Sequence, residues 1–238
     1  MNFGQIVVVD FEFEIETGGL PRPLCMVAQV LDEHLQYVRT IRLWRGEFGT
    51  EPPFDIGPDT LFVAYTAWAE LTCFKVLGWK FPKYIFDCHT AFLAQSNILD
   101  EYNPTAVRKK PRKRLSDACR AHGLDGWQSI DKEDISKAIG EGTWVGKYSP
   151  EEILAYCTED VFMTTRLLRS QVRTADASRI MWWSEYSAKA VALIQAKGIP
   201  IDVALWNLVQ ENKAAVVAGL LEQFDPSHFD DDPIFNAA

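Results

Sequence analysis

Two carboxylates, Asp10 and Glu12, flank Phe11 at the end of the apolar run QIVVVD (5–10). Side chains alternate across a strand, so both acids share one face while Phe11 and Phe13 take the other. Two neighbouring carboxylates repel unless a cation sits between them; the alternative is a solvated strand end. A third acid, Glu70, follows the run LFVAY (61–65) in the stretch Tyr65-Thr66-Ala67-Trp68-Ala69-Glu70. It either joins such a site or occupies a helix's first turn, where the dipole favours acids. Tyr156 and Asp160, in YCTED, stand at i and i+4 and so share one helix face; a simple Tyr–Asp contact has the same spacing. The chemistry open to four carboxylates is that of hard divalent cations, Mg²⁺ or Mn²⁺, and not of zinc.

The elements that position these residues follow from the pattern. Residues 5–10, 24–31 and 35–43 read as strands joined by short connections containing Thr17-Gly18-Gly19 and Asp32-Glu33-His34. Short connections imply an antiparallel three-stranded meander. After Pro58 strands and helices alternate: strand 61–65, helix 67–77 with Gly78 at its stop, strand 84–87, helix 89–97. Alternation implies parallel pairing through crossovers. Residues 98–112 read as a loop, and helices are expected at 113–122 and 149–171. The latter opens on Ser149-Pro150-Glu151-Glu152, a capping residue, an early proline and early acids. The expected class is α/β, a mixed sheet flanked by helices, with a C-terminal helical appendage. A boundary is expected near 173–178. Beyond it come a helix at 178–197, a helix from about 202 to 223, and an acidic tail.

Composition narrows the class. The 238 residues carry a charge of −9 and are 47% hydrophobic and 12% aromatic, which excludes a disordered chain. No apolar run reaches the length of about 20 residues that a membrane helix needs, so no membrane partner is expected. MNFGQIVVVD has no basic segment before its apolar run, so it is no signal peptide. Five cysteines without a CxxC pair read as buried, reduced thiols of a cytoplasmic protein. The acidic balance argues against coating nucleic acid by net charge. One local exception is the run Arg108, Lys109, Lys110, Pro111, Arg112, Lys113, Arg114; without its six cations the chain would stand at −15. It is a candidate backbone contact for nucleic acid, or else a solvated loop. Tyr65, Phe13 and Trp68 are expected in the core, and Trp182-Trp183 are expected to pack the helical appendage against the preceding domain.

In that order and setting, Asp10 and Glu12, Glu70, and Tyr156 with Asp160 resemble the three motifs of the DEDD exonuclease superfamily, in its tyrosine subclass. The resemblance covers about residues 3–172. It includes Asp87 at the end of YIFD and the stretch from Arg114 to Leu124. Residues 189–202, with Gly198-Ile199-Pro200-Ile201-Asp202, are similar to the join before the thumb of family A DNA polymerases. The resemblance implies a ribonuclease H-like fold over 1–175, the start of a thumb over 176–238, and a polymerase domain C-terminal to this chain. It implies two divalent cations among Asp10, Glu12, Glu70 and Asp160, typically about 3.5–4 Å apart in such sites. Tyr156 would orient the attacking water, and 5′-monophosphates would leave a frayed or single-stranded 3′ DNA end, the protein acting as a monomer. The family's second motif normally has Asp with Asn four residues before it; here Glu70 and Thr66 stand there. The same motifs also serve RNA 3′-end processing exonucleases, and an inactive domain that positions DNA is a further alternative.

Overall fold

The structure is a computed structural model and describes residues 3–15, 19–101, 114–124 and 132–223. Five strands, β1 (Gln5–Ile15), β2 (Pro21–Asp32), β3 (Tyr37–Trp44), β4 (Thr60–Ala64) and β5 (Tyr84–Asp87), form one mixed sheet in the order β3-β2-β1-β4-β5. β1, β2 and β3 pair antiparallel, and β4 and β5 add parallel to β1. This is the expected meander extended by α/β units. β1 is longer than its apolar run because Phe11 and Phe13 continue the alternation past the two acids.

Helices cover both faces. They are α1 (Ala67–Val76), α2 (Cys88–Glu101), α3 (Leu115–Ala121), α4 (Lys132–Gly140), α5 (Pro150–Thr174) and α6 (Ala177–Lys197), then α7 (Val203–Glu211) and α8 (Lys213–Gln223). Ile6 and Val8 of β1 face the core closed by Ile153, Cys157, Leu167 and Leu168 of α5. Val7, Val9 and Phe11 face the opposite core, closed by Leu71 and Phe74 of α1 and Ala188 and Ala192 of α6. The strand's two-residue period thus sends Asp10 and Glu12 to the α5 side.

α5 starts as expected. Ser149 accepts a hydrogen bond from the Glu152 amide, and the Glu152 carboxylate accepts one from the Ser149 amide, a capping box with Pro150 in the first turn. Gly78 at φ 74° ends α1 in the left-handed region that glycine tolerates.

Three expectations change. α4 lies where no element was expected; its signal is only Ile135, Ala138 and Ile139 at helical spacing, and all three are buried. The expected helix from 202 to 223 is two helices, because Asn212 leaves helical geometry and its side-chain amide donates to the Leu208 carbonyl. Trp182 and Trp183 do not pack against the core. They are 56% and 50% exposed; the Trp182 ring meets Trp183 edge-on and also contacts Tyr186, while Ile180, Ser184, Ala188 and Ala192 form the buried face of α6.

The chain divides into two compact units, residues 1–197 and 198–238. α6, which the sequence pattern groups with the C-terminal segment, packs on α1 and β5 within the first. In the second, Asp202 caps α7 by accepting from the Leu205 amide, and α7 and α8 carry exposed Leu205, Trp206, Leu208, Val216 and Val217. No helix of the described residues is long and apolar enough to cross a membrane.

Candidate metal centre

The parallel strands β1, β4 and β5 all end at one edge of the sheet, the place where α/β sheets bind ligands. Each delivers an acid there: Asp10 and Glu12 from the last half of β1, Glu70 from α1 directly after β4, and Asp87 at the end of β5. β4 pairs with β1 only as far as Val8, so the edge of β1 beyond it is open. Glu70 fills that opening, accepting a hydrogen bond from the Phe11 amide. On the other side, β2 bulges where Glu12 pairs Cys25 and Phe13 already pairs Pro23, a local irregularity of the kind that re-aims side chains beside sites.

α5 closes the centre. Tyr156 and Cys157 are buried and Asp160 is half-buried one turn on. The Cys157 thiol donates to Asp10 Oδ2 at 3.2 Å and lies 3.4 Å from the Asp10 carbonyl oxygen. Ligand atoms of Asp10, Glu12 and Cys157 all lie within 4.8 Å of one another, a group able to hold a metal ion. A sulfur therefore stands beside the carboxylates that the sequence pattern singles out.

The electrostatics follow from crowding acids where water is scarce. Burial first, then the charges of Asp10, Asp160 and Glu70, pushes the Glu12 carboxyl well above its ordinary value. Burial and the Asp10 charge do the same to Glu70, against the pull of the Phe11 amide. Glu70 is 3% exposed, and its Oε2 has no hydrogen-bond partner. A buried carboxylate oxygen without a donor is costly unless a cation reaches it. Tyr156 is also pushed up, by burial and by Glu12, Asp160 and Asp10, while a hydrogen bond with Ser136 acts the other way. It is held as a phenol, a donor and not a base.

Two supports were not read from the sequence. Ser136 comes from α4, whose pattern was too weak to place. Ser184 of α6 accepts from the Asp87 amide at 3.1 Å, across 97 residues of chain. Asp87 in turn accepts from the Thr66 amide (3.0 Å), the His89 amide (2.9 Å) and the Thr90 hydroxyl (3.1 Å). It thereby ties β5 to the turn that aims α1 and Glu70. Cys157 had a legible signal: it lies three residues before Asp160, on the same helix side.

Of the basic run, Arg108, Lys109, Lys110, Arg112 and Lys113 lie outside the described residues, and Arg114 stands at the N-cap position of α3. Phe13 and Trp68 are half-buried against the second core and Tyr65 against the first. No protein-family model and no curated protein matches this chain.

Proposed function

We propose that the chain is a metal-dependent 3′→5′ exonuclease with a ribonuclease H-like fold, acting on a frayed or single-stranded 3′ DNA end. The observation that carries this reading is the meeting of Asp10, Glu12, Glu70, Tyr156 and Asp160, from β1, α1 and α5, at the carboxyl edge of the parallel strands. The carboxylates, with the bare oxygen of Glu70, fit Mg²⁺ or Mn²⁺. When bound, two such ions polarise a phosphodiester and activate water for in-line hydrolysis.

The chain's own residues do the rest. Asp10, Glu12 and Asp160 supply the charge that gathers cations on the α5 side, and Glu70 supplies it from the open edge of β1. Tyr156, protonated at neutral pH, offers its hydroxyl to orient the attacking water, with Ser136 restraining the ring. Asp87 holds the Thr66 turn and so the reach of Glu70. The further reading, that this is the proofreading part of a family A DNA polymerase, is supported by the join itself: Gly198 at φ 73° after α6, then Asp202 capping α7.

The Asp10→Ala/Glu12→Ala double variant is expected to abolish Mg²⁺-dependent shortening of a 5′-labelled oligonucleotide from its 3′ end. Undiminished shortening overturns the assignment. Matched DNA and RNA strands in the same assay decide the nucleic acid, and faster degradation of RNA would favour an RNA-processing enzyme.

A further inference from the structure

The buried Cys157 sulfur lies close to carboxylate oxygens of Asp10 and Glu12. These ligand atoms lie within 4.8 Å of one another, and metal bonds of about 2.0–2.3 Å place two donors at most about 4.5 Å apart. Small side-chain adjustments close that difference. A second, independent observation lies beside it: the buried Glu70, whose strongest charge neighbour is Asp10, keeps an oxygen without a partner.

We infer that Asp10, Glu12 and Cys157 form a mixed oxygen–sulfur site for a thiophilic divalent cation such as Zn²⁺, Cd²⁺ or Co²⁺. The inference deepens the metal centre of the proposed function, and it makes Cys157 the residue through which such ions compete with Mg²⁺. Mg²⁺ demands oxygen ligands and retains its waters, so under Mg²⁺ Cys157 stays a thiol and donates to Asp10, as its 3.2 Å contact already does. A softer ion replaces the thiol proton. The S–H bond breaks, a sulfur–metal bond forms, and one proton passes to solvent, with no change of oxidation state. The second thiol at hand is Cys25, buried opposite Glu12 in the β1–β2 register and hydrogen-bonded with Cys157. It lies outside the close group and serves as the control.

The test titrates Co²⁺ into the intact, metal-free chain without nucleic acid and follows the near-ultraviolet thiolate-to-cobalt charge-transfer band. The expected result is a saturable band, with Co²⁺ affinity at least about tenfold weaker in Glu12→Gln. The band disappears in Cys157→Ser and persists in Cys25→Ser. A missing band in the natural chain, or one that survives Cys157→Ser, overturns the inference. Should Cys157→Ser not fold by circular dichroism, the ¹¹³Cd resonance of the natural chain decides: a shift typical of sulfur ligation supports the site, and an all-oxygen shift overturns it. Neither measurement uses a nuclease reaction. Sulfur ligation without strand shortening would therefore sink only the nuclease reading, and shortening without the band only this one.

Discussion

Glu70 carries a carboxylate to a place that water barely reaches, and its pH behaviour follows from that. Burial and Asp10 hold its pKa above the ordinary 4.5, and Glu12 shares the displacement. The folded chain therefore binds more protons than the unfolded chain once the pH exceeds 4.5. Metal-free stability is full below that pH and falls as pH rises through the raised values. Glu70→Gln keeps an acceptor for the Phe11 amide and removes the charge. The variant is expected to gain about 1–3 kcal/mol at pH 7 without metal and less at pH 5, read by urea unfolding at both. A gain independent of pH would separate its effect from ionisation. The two β1 acids were legible from a strand's two-residue period. The burial of Glu70 was not, because it depends on where β4 stops along β1.

At the scale of the element, the entry to α1 is the strained one. Thr66, its N-cap, sits at φ 71°, ψ 54° and makes no side-chain cap bond. A β-branched residue in the left-handed region costs about 1–2 kcal/mol, and the Asp87 carboxylate on the Thr66 amide helps hold it there. Asn tolerates this conformation far better. Thr66→Asn is expected to stabilise the chain by about 1 kcal/mol in denaturant unfolding; a loss of stability would mean that the Thr66 side chain contributes more than its backbone costs. The start of α5 was readable because its cap is local, four consecutive residues satisfying their own amides. α4 was not, because three buried apolar residues in a polar nonamer gain their meaning only from the sheet that receives them.

At the scale of the whole molecule, the placement of α6 matters most. Ser184 bonds the Asp87 amide, and Ala188 and Ala192 complete the core behind α1. A chain ending at residue 197 is therefore expected to fold with a cooperative thermal transition close to that of the full chain. One ending at residue 175 uncovers the faces of α1 and β5 on which α6 packs and is expected to lose that transition, followed by near-ultraviolet circular dichroism. Equal melting of the two would show that α6 is dispensable to the first unit.

The sequence by itself determined what short-range periodicity determines. Alternation put Asp10 and Glu12 on one strand face, helical spacing put Tyr156 and Asp160 on one helix side, and local caps and stops bounded α1 and α5. Tertiary structure decided what lies between distant segments. The Cys157 sulfur beside Asp10, 147 residues away, the Ser136 hydroxyl at Tyr156 and the Ser184 hydroxyl behind Asp87 are contacts between elements distant in sequence. Their geometry is set by which faces pack and where strands end, and no pattern within one segment encodes that.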